Sequence, residues 1–361
     1  MDGRAAGAAG TRAGRRFAAL AAALVLVFFM SFALGRYPVN PADLVKILLS
    51  QLASLISQAL PDGVPFPSGF ERTWAEAAET VTLNVRLPRI IAAAAIGAAL
   101  SAAGAAYQGM FRNPLVSPDI LGASSGAGFG AAFGILMRLG YFGISVSAFL
   151  FGTGAVLTAY AISGRSRRIN GILAMVLTGM MVSSLFSAAT SFIKLIADTE
   201  EALPAITYWL MGSLASIRMS DIAFAGVPIA AGLVALLLLR WRINLLTLGD
   251  DEARSMGVNT ARLRAAVIVC ATLLTAASVA ISGMIGWVGL VIPHFCRMIF
   301  GHDYSRLMPA SMMFGAAFLI VVDDAARLIA TSEIPIGILT AFVGAPVFVY
   351  LILSGGAGNE Y

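Results

Sequence analysis

VRLPRIIAAAAIGAALSAAG, residues 85–104, decides the fold class. After Arg89 no charged residue appears until Arg112. The uninterrupted apolar run 90–111 therefore reads as a helix of about 33 Å, the thickness of a bilayer's hydrocarbon core. Pro88 suits the first helical position, and Leu87 before it is biased away from helical backbone. Arg86 is thus expected just outside the helix and Arg89 in its first turn. Two cations at a helix N-terminus face the positive end of the macrodipole, which is mildly unfavourable. Snorkelling to lipid headgroups is the plain explanation for Arg89. The alternative is a negative partner, and its identity depends on which side of the membrane this end faces.

The rest of the chain agrees with a membrane setting. Of its 361 residues 59% are hydrophobic and 12% charged, with a mean hydropathy of +0.86. A soluble domain carries about twice that charged fraction, so water is excluded as the solvent for most of the surface. Cys270 and Cys296 lie in apolar runs without metal-ligand spacing, which points to packing rather than a disulfide or metal site.

Apolar runs of about 17–25 residues mark ten candidate spans. They cover approximately 17–35, 90–111, 120–137, 141–163, 171–196, 222–239, 265–284, 286–300, 307–330 and 335–353. Gly283, Gly286, Gly289 and Pro293 blur the border between the seventh and eighth. Arg12, Arg15 and Arg16 precede the first run as in a signal peptide, but no prompt small-x-small cleavage site follows, so it reads as an anchor. Ten spans place both termini on one side. With that side cytoplasmic, fifteen of the 24 Lys and Arg and seven of the 19 acids fall inside, leaving +8 within and −3 without. The bias follows the positive-inside rule and puts Arg86 and Arg89 outside. The expected organisation is a cytoplasmic tail at 1–16, one transmembrane domain at 17–354 and a cytoplasmic tail at 355–361.

Between the spans lie three informative segments. NPADLVKILLSQLASLISQAL, 40–60, reads as an outer amphipathic helix with Asn40 as N-cap and a stripe of Leu44, Leu48, Leu52 and Leu55, broken by PDGVPFPSG. A second outer segment, 196–216, contains Pro204 and the run Tyr208, Trp209, Leu210, Met211. Its aromatics fit an interfacial anchor and equally a substrate entrance. On the inner side, Gly249 and Gly257 bracket Asp250, Asp251, Glu252, Ala253, Arg254, Ser255 and Met256. Acids in the first turn with Arg254 following suit a short helix. It is either a solvated connection or a rigid plug for another protein's groove.

Within the apolar runs, Gly122, Gly126, Gly130 and Gly134 form a small-xxx-small stripe for close helix approach. Asp119 in the inner turn NPLVSPDILG is positioned to cap the third span. Asp323, Asp324 and Arg327 sit at the outer end of span nine, either as a local ion pair or as a functional site at membrane depth. His294 is a lone histidine near the inner side and reads as packing. No GxxxxGK[ST] occurs, and the LSGG at 353–356 lacks a nucleotide-binding loop, so ATP hydrolysis by this chain is excluded. Acids do not recur along several spans as in many ion-coupled carriers.

The stretches VRLPR, GAALSAAGAAYQGMFRNPLVSPDILGASSGAG, PAITYWLMGSL, ARSMGVN, SGMIGWVGLVIPHFCRMIFGHD and EIPIGILTAFVGAPVF resemble the FecCD-type permeases of ABC importers, in the same order from about residue 30 to 354. The resemblance implies an all-α polytopic membrane protein of type II importer architecture in a prokaryotic cytoplasmic (inner) membrane, with about ten helices and both termini cytoplasmic. It further implies a homodimer, two cytoplasmic ATPase subunits that bind ATP and Mg, and an extracytoplasmic substrate-binding protein. No cofactor belongs to this chain, and nucleic acid is not a partner. In the family's pattern Arg86, Arg89 and Arg327 pair with glutamates of the binding protein. Asp250, Asp251, Glu252, Arg254, Ser255, Met256, Gly257 and Val258 match the coupling helix that rests on the ATPase. Tyr208, Trp209 and Met211, with Met180 and Ser184 of the fifth span, match segments that line or gate the pathway. The implied cargo is an iron–siderophore, haem or cobalamin, with an oxyanion also open; NPLVSPDILG is closer to the iron-complex branch than to the cobalamin version. An ion-coupled carrier or channel working without an ATPase is the competing class, and a structural membrane anchor the third.

Overall fold

Why α4 stands at the centre of the molecule follows from its side chains: 14 of its 25 residues are Ala, Gly or Ser, so neighbours can approach its backbone closely. The structure is a computed structural model and describes residues 2–59, 72–165 and 171–355. The break PDGVPFPSG, the inner Arg167 and Arg168, and residues 356–361 lie outside the described residues, as do the side chains of Arg4, Arg12 and Leu55.

Helices follow one another throughout: α1 (Asp2–Ala33), α2 (Pro41–Ala59), α3 (Glu76–Thr80), a π-helical turn (Val81–Arg86), α4 (Leu87–Phe111), α5 (Ala123–Leu136), α6 (Tyr141–Ser163), α7 (Gly171–Ile196), α8 (Ala202–Met211), α9 (Met219–Leu248), α10 (Asp250–Ser255), α11 (Thr260–Ser282), α12 (Val288–Phe300), α13 (Tyr304–Leu328) and α14 (Ile336–Gly355). All ten expected spans are helical. Among the described residues, seven stretches are long and apolar enough to cross a membrane alone: Ala13–Ala33, Glu76–Phe111, and the helices α6, α7, α9, α11 and α13. The shorter α5, α12 and α14 are apolar and pack on them: α5 on α6, α12 on α4 and α13, α14 on α12 and α13.

The most apolar window of Glu76–Phe111 is 83% buried, against 11% for that of Ala13–Ala33 and 22% for that of α9. Helices α9, α11, α12 and α13 surround α4. Gly97 abuts the carbonyl of Gly315 in α13, and Gly104 abuts that of Gly289 in α12, with no room for a methyl at either. The expected glycine stripe works the same way. A methyl on Gly126 would reach 2.5 Å from the Phe151 carbonyl, and one on Gly130 would meet the Ser147 carbonyl at the same distance. Ser147 also donates to the Gly130 carbonyl at 2.6 Å. Gly122 is the N-cap of α5 and faces Ser183 of α7, while Asp119 accepts from the Ser124 amide at 2.8 Å, as its capping role predicts.

Three expectations need correction. Leu87 is helical: α4 begins there with Pro88 in its first turn as expected, but a π-helical turn runs straight into it. The wide π turn ahead of Pro88 accommodates the missing donor and the ring. Glu76–Phe111 is thus one continuous helical stretch of about 54 Å rather than one beginning at 90. In α2, Asn40 caps as expected, accepting from the Ala42 amide at 3.0 Å. Its buried residues, however, are Leu44, Ile47 and Ala53, with Leu48 partly buried and Leu52 exposed. Finally, α12 starts at Val288, since Gly283–Trp287 is non-helical and Trp287 itself has φ +69.

Candidate functional site

At the outer end three helix termini meet: the N-terminal end of α4 and the C-terminal ends of α1 and α13. A helix C-terminus exposes unpaired carbonyls and a partial negative charge, and the arginines go there. Arg86 donates to the carbonyls of Phe32 and Tyr37. Arg327 donates to Ser31 Oγ at 3.0 Å and to Asp324, and reaches the Leu34 carbonyl at 3.4 Å. Arg36, exposed, returns the arrangement by donating to the carbonyls of Arg327 and Ala330 at 3.1 and 2.6 Å.

Carboxylates complete the cluster. Arg89 Nε donates to both oxygens of Asp323 at 2.7 and 2.9 Å, and its Nη1 lies 2.8 Å from Glu333. Arg327 Nε is 3.3 Å from Asp323, an ion-pair distance without hydrogen-bond alignment. Ser31 Oγ donates to Asp324 at 2.6 Å. Three arginines face three carboxylates, and Arg86, Arg89 and Arg327 are only 2%, 3% and 7% exposed. These three were expected to offer free charge to a docked protein. In this structure their negative partners lie in this chain and in its helix ends. Glu333, Ser31 and Arg36 were not singled out from sequence; the only signal for Arg36 was a cation just after a span without an acid nearby.

The pathway candidates separate. Tyr208, Met211, Met180 and Ser184 are exposed, and Ser184 Oγ is satisfied by the Met180 carbonyl at 2.9 Å. Trp209, half-buried, packs against the cluster of Ala127, Ala131, Ala148 and Val279. Of the five, Met211 reaches a cavity of about 550 Å³ whose walls include Met284, Trp287, Ile338 and Phe342. Backbone bonds from Ser213 to Ser282 (2.7 Å) and from Ile336 to Gly212 (2.9 Å) stitch the ends of α8, α11 and α14 around it. Trp287, held at positive φ, was missed; glycines on both sides in IGWVG were the available hint.

On the opposite end, α10 covers Asp250–Ser255, shorter than the 250–259 expected. Gly249 at φ +128 and Gly257 at φ +80 break the chain on either side, backbone that L side chains rarely adopt. Ala253 is fully buried, and Asp250 pairs with Arg264 of α11 at 2.6 Å, so one face is fastened down. Asp251, Glu252, Arg254, Ser255, Met256 and Gly257 are exposed, and Val258 is half-buried. Asn259 caps α11 by accepting from the Arg262 amide at 3.0 Å.

Residues 23–354 match the model of the FecCD transport family. The chain belongs to this family. Its members are transmembrane permease components of ABC transporters, so this is a multi-span integral membrane protein of such a system. The chain is 40% identical over 339 residues to the molybdate import system permease protein MolB of Haemophilus influenzae, covering 93% of this chain and 95% of that one. It is 35% identical over 353 residues to the cobalamin import system permease protein BtuC of Halobacterium salinarum, with the same shares covered. A solved structure described as a metal-chelate type ABC transporter in an inward-facing conformation superposes with a TM-score of 0.81 at 38% identity, covering 94% of this chain and 99% of that one.

Proposed function

We propose that two copies of this chain form the membrane pathway of an ATP-driven importer, which receives a metal chelate from an extracytoplasmic binding protein and passes it to the cytoplasm by alternating access. The observation that carries this reading is α10. A one-and-a-half-turn helix fastened by Asp250–Arg264 and Ala253, with its other face exposed, is a rigid handle. A carrier that runs on an ion gradient has no use for one. Two cytoplasmic ATPase subunits push on these handles. The exposed faces of α7 and α14, with Met180 and Ser184 on the former, lie at the dimer axis. The apolar cavity beside Met211 and Trp287 suits an organic chelate such as a ferric siderophore, haem or cobalamin, since a weakly polar wall offers little to hold cargo back. An oxyanion is the second reading, favoured by the identity to the molybdate permease.

Docking of the binding protein then falls to cations that remain exposed at the outer end, Arg36 and Lys46. Lys46→Glu together with Arg36→Glu raises several-fold the binding-protein concentration needed to stimulate ATPase activity; an unchanged requirement removes these residues from the interface. The whole assignment is tested in proteoliposomes holding this chain, its ATPase and its binding protein. Uptake of radiolabelled ferric siderophore, haem or molybdate must require ATP inside. Uptake by the chain alone on an ion gradient overturns the reading.

A further inference from the structure

Near the α10 end of the molecule lies a second cavity, of about 340 Å³, that the transport reading does not use. Its lining includes Arg112, Arg297, His294, His302, Gln108 and Asn113, brought together from the end of α4, the end of α12 and the loop that follows it. Both histidines of the chain are here. Among the described residues, no carboxylate lines the cavity, and neither arginine forms an ion pair. Everywhere else in the membrane domain buried arginines are matched: Arg89 and Arg327 have their aspartates, and Arg86 its helix-end carbonyls.

Arg297 is the odd one. Its Nη2 donates to Gln108 Oε1, and Gln108 is fixed in turn by donating to the carbonyls of Val116, Gly289 and Leu290 at 3.2–3.3 Å. The guanidinium is therefore held in place. Its Nη1 is nevertheless buried without a hydrogen-bond partner. A buried cationic donor left unpaired is costly; Arg264 Nε and Arg327 Nε are unpartnered too, but each of those guanidiniums has an aspartate beside it, whereas Arg297 has none. The Tyr304 hydroxyl is also within hydrogen-bonding reach of Arg297 but brings no charge. The C-termini of α4 and α12 make the place favourable for cations, yet two half-charges do not balance two arginines.

We propose that this cavity binds a free tetrahedral oxyanion of the phosphate or sulfate class. A tetrahedral anion offers acceptors in several directions at once, which matches donors converging from Arg297, Arg112, Asn113 and the imidazoles. Arg297 is the anchor and Gln108 its positioning residue. Arg112 and His302, both exposed, form the rim. Arg112 Nη1 lies 3.6 Å from where a methyl on Gly249 would sit, a point that the Glu252 carboxylate approaches more closely still, and Gly249 leads directly into α10. An anion held here therefore braces the base of α10, which gives the cell's oxyanion level a grip on the coupling segment.

The binding claim stands independently of the transport reading, because it is tested on the full-length chain alone in neutral detergent. Calorimetric titration with phosphate and with sulfate, at constant ionic strength set with chloride, is expected to show saturable binding and a rise in Tm. Arg297→Lys loses the planar fork and lowers phosphate affinity about tenfold or more. Arg112→Gln with His302→Gln, both on the exposed rim, lowers it several-fold while the unliganded Tm stays near wild type, which separates lost binding from misfolding. The proposal is overturned by absence of saturable binding, by equal effects of chloride, or by rim variants that bind as wild type. Stronger binding of glutamate or acetate than of phosphate also overturns it, and marks the cavity as a seat for a partner protein's carboxylate.

Discussion

Asp323 accepts from Arg89 across helices and faces Arg327 on its own helix, while itself 1% exposed. Removing one member of a buried charge set leaves the others desolvated and unpaired, at a cost of about 3–5 kcal/mol. Asp323→Ala is therefore expected to lower stability in detergent by that order. Arg72→Ala, which breaks an ion pair with Glu79 whose arginine is 65% exposed, is expected to cost far less. Thermal unfolding of the two variants side by side decides the matter; equal losses mean the cluster holds nothing together. The sequence spacing of Asp323, Asp324 and Arg327 made the local pairs readable in advance. Arg89 with Glu333 was not readable, because a contact between residues 244 positions apart depends on two helix ends arriving at the same place. The mild dipole penalty at the start of α4 misled for a related reason. It counted only α4's own terminus and left out the two opposite ends that surround it.

Helix packing was the most legible level, since residues that let backbones touch are few and periodic. The α5 stripe grades its own positions. Gly126 and Gly130 meet carbonyls of α6 where nothing can yield, while a methyl at Gly134 would find Ile144 no closer than 3.2 Å. Gly126→Ala or Gly130→Ala is expected to push α5 and α6 apart and cost about 1–3 kcal/mol. Gly134→Ala should cost much less, and denaturation in mixed micelles reads the order. A flat response across the three positions would show that α5 and α6 are not held by close approach. Boundaries were less legible than packing. The π turn before Pro88 carries a helix through a residue that ordinarily begins one, and no local pattern announces it. The sequence left Trp209 open between two roles because an apolar residue on a short helix can serve a core or an open face, and only the neighbours choose.

For the molecule as a whole, the two ends have opposite design. The outer end is closed upon itself by matched charges, whereas the inner end keeps α10 exposed and joins it to the span α11 through Asp250 and Arg264. If that link transmits force, it must be needed for coupling rather than for either half-reaction. In the assembled transporter, Arg264→Asp places two acids together and releases α10. ATP hydrolysis should continue while substrate moved per ATP falls several-fold. The exchange Asp250→Arg with Arg264→Asp restores the pair in reverse and should recover most of the coupling. Recovery is the informative result, because a merely damaged protein would not regain function from a second substitution. Should the single variant transport with wild-type efficiency, α10 carries no motion through this pair, and the force must enter the membrane domain through some other inner contact.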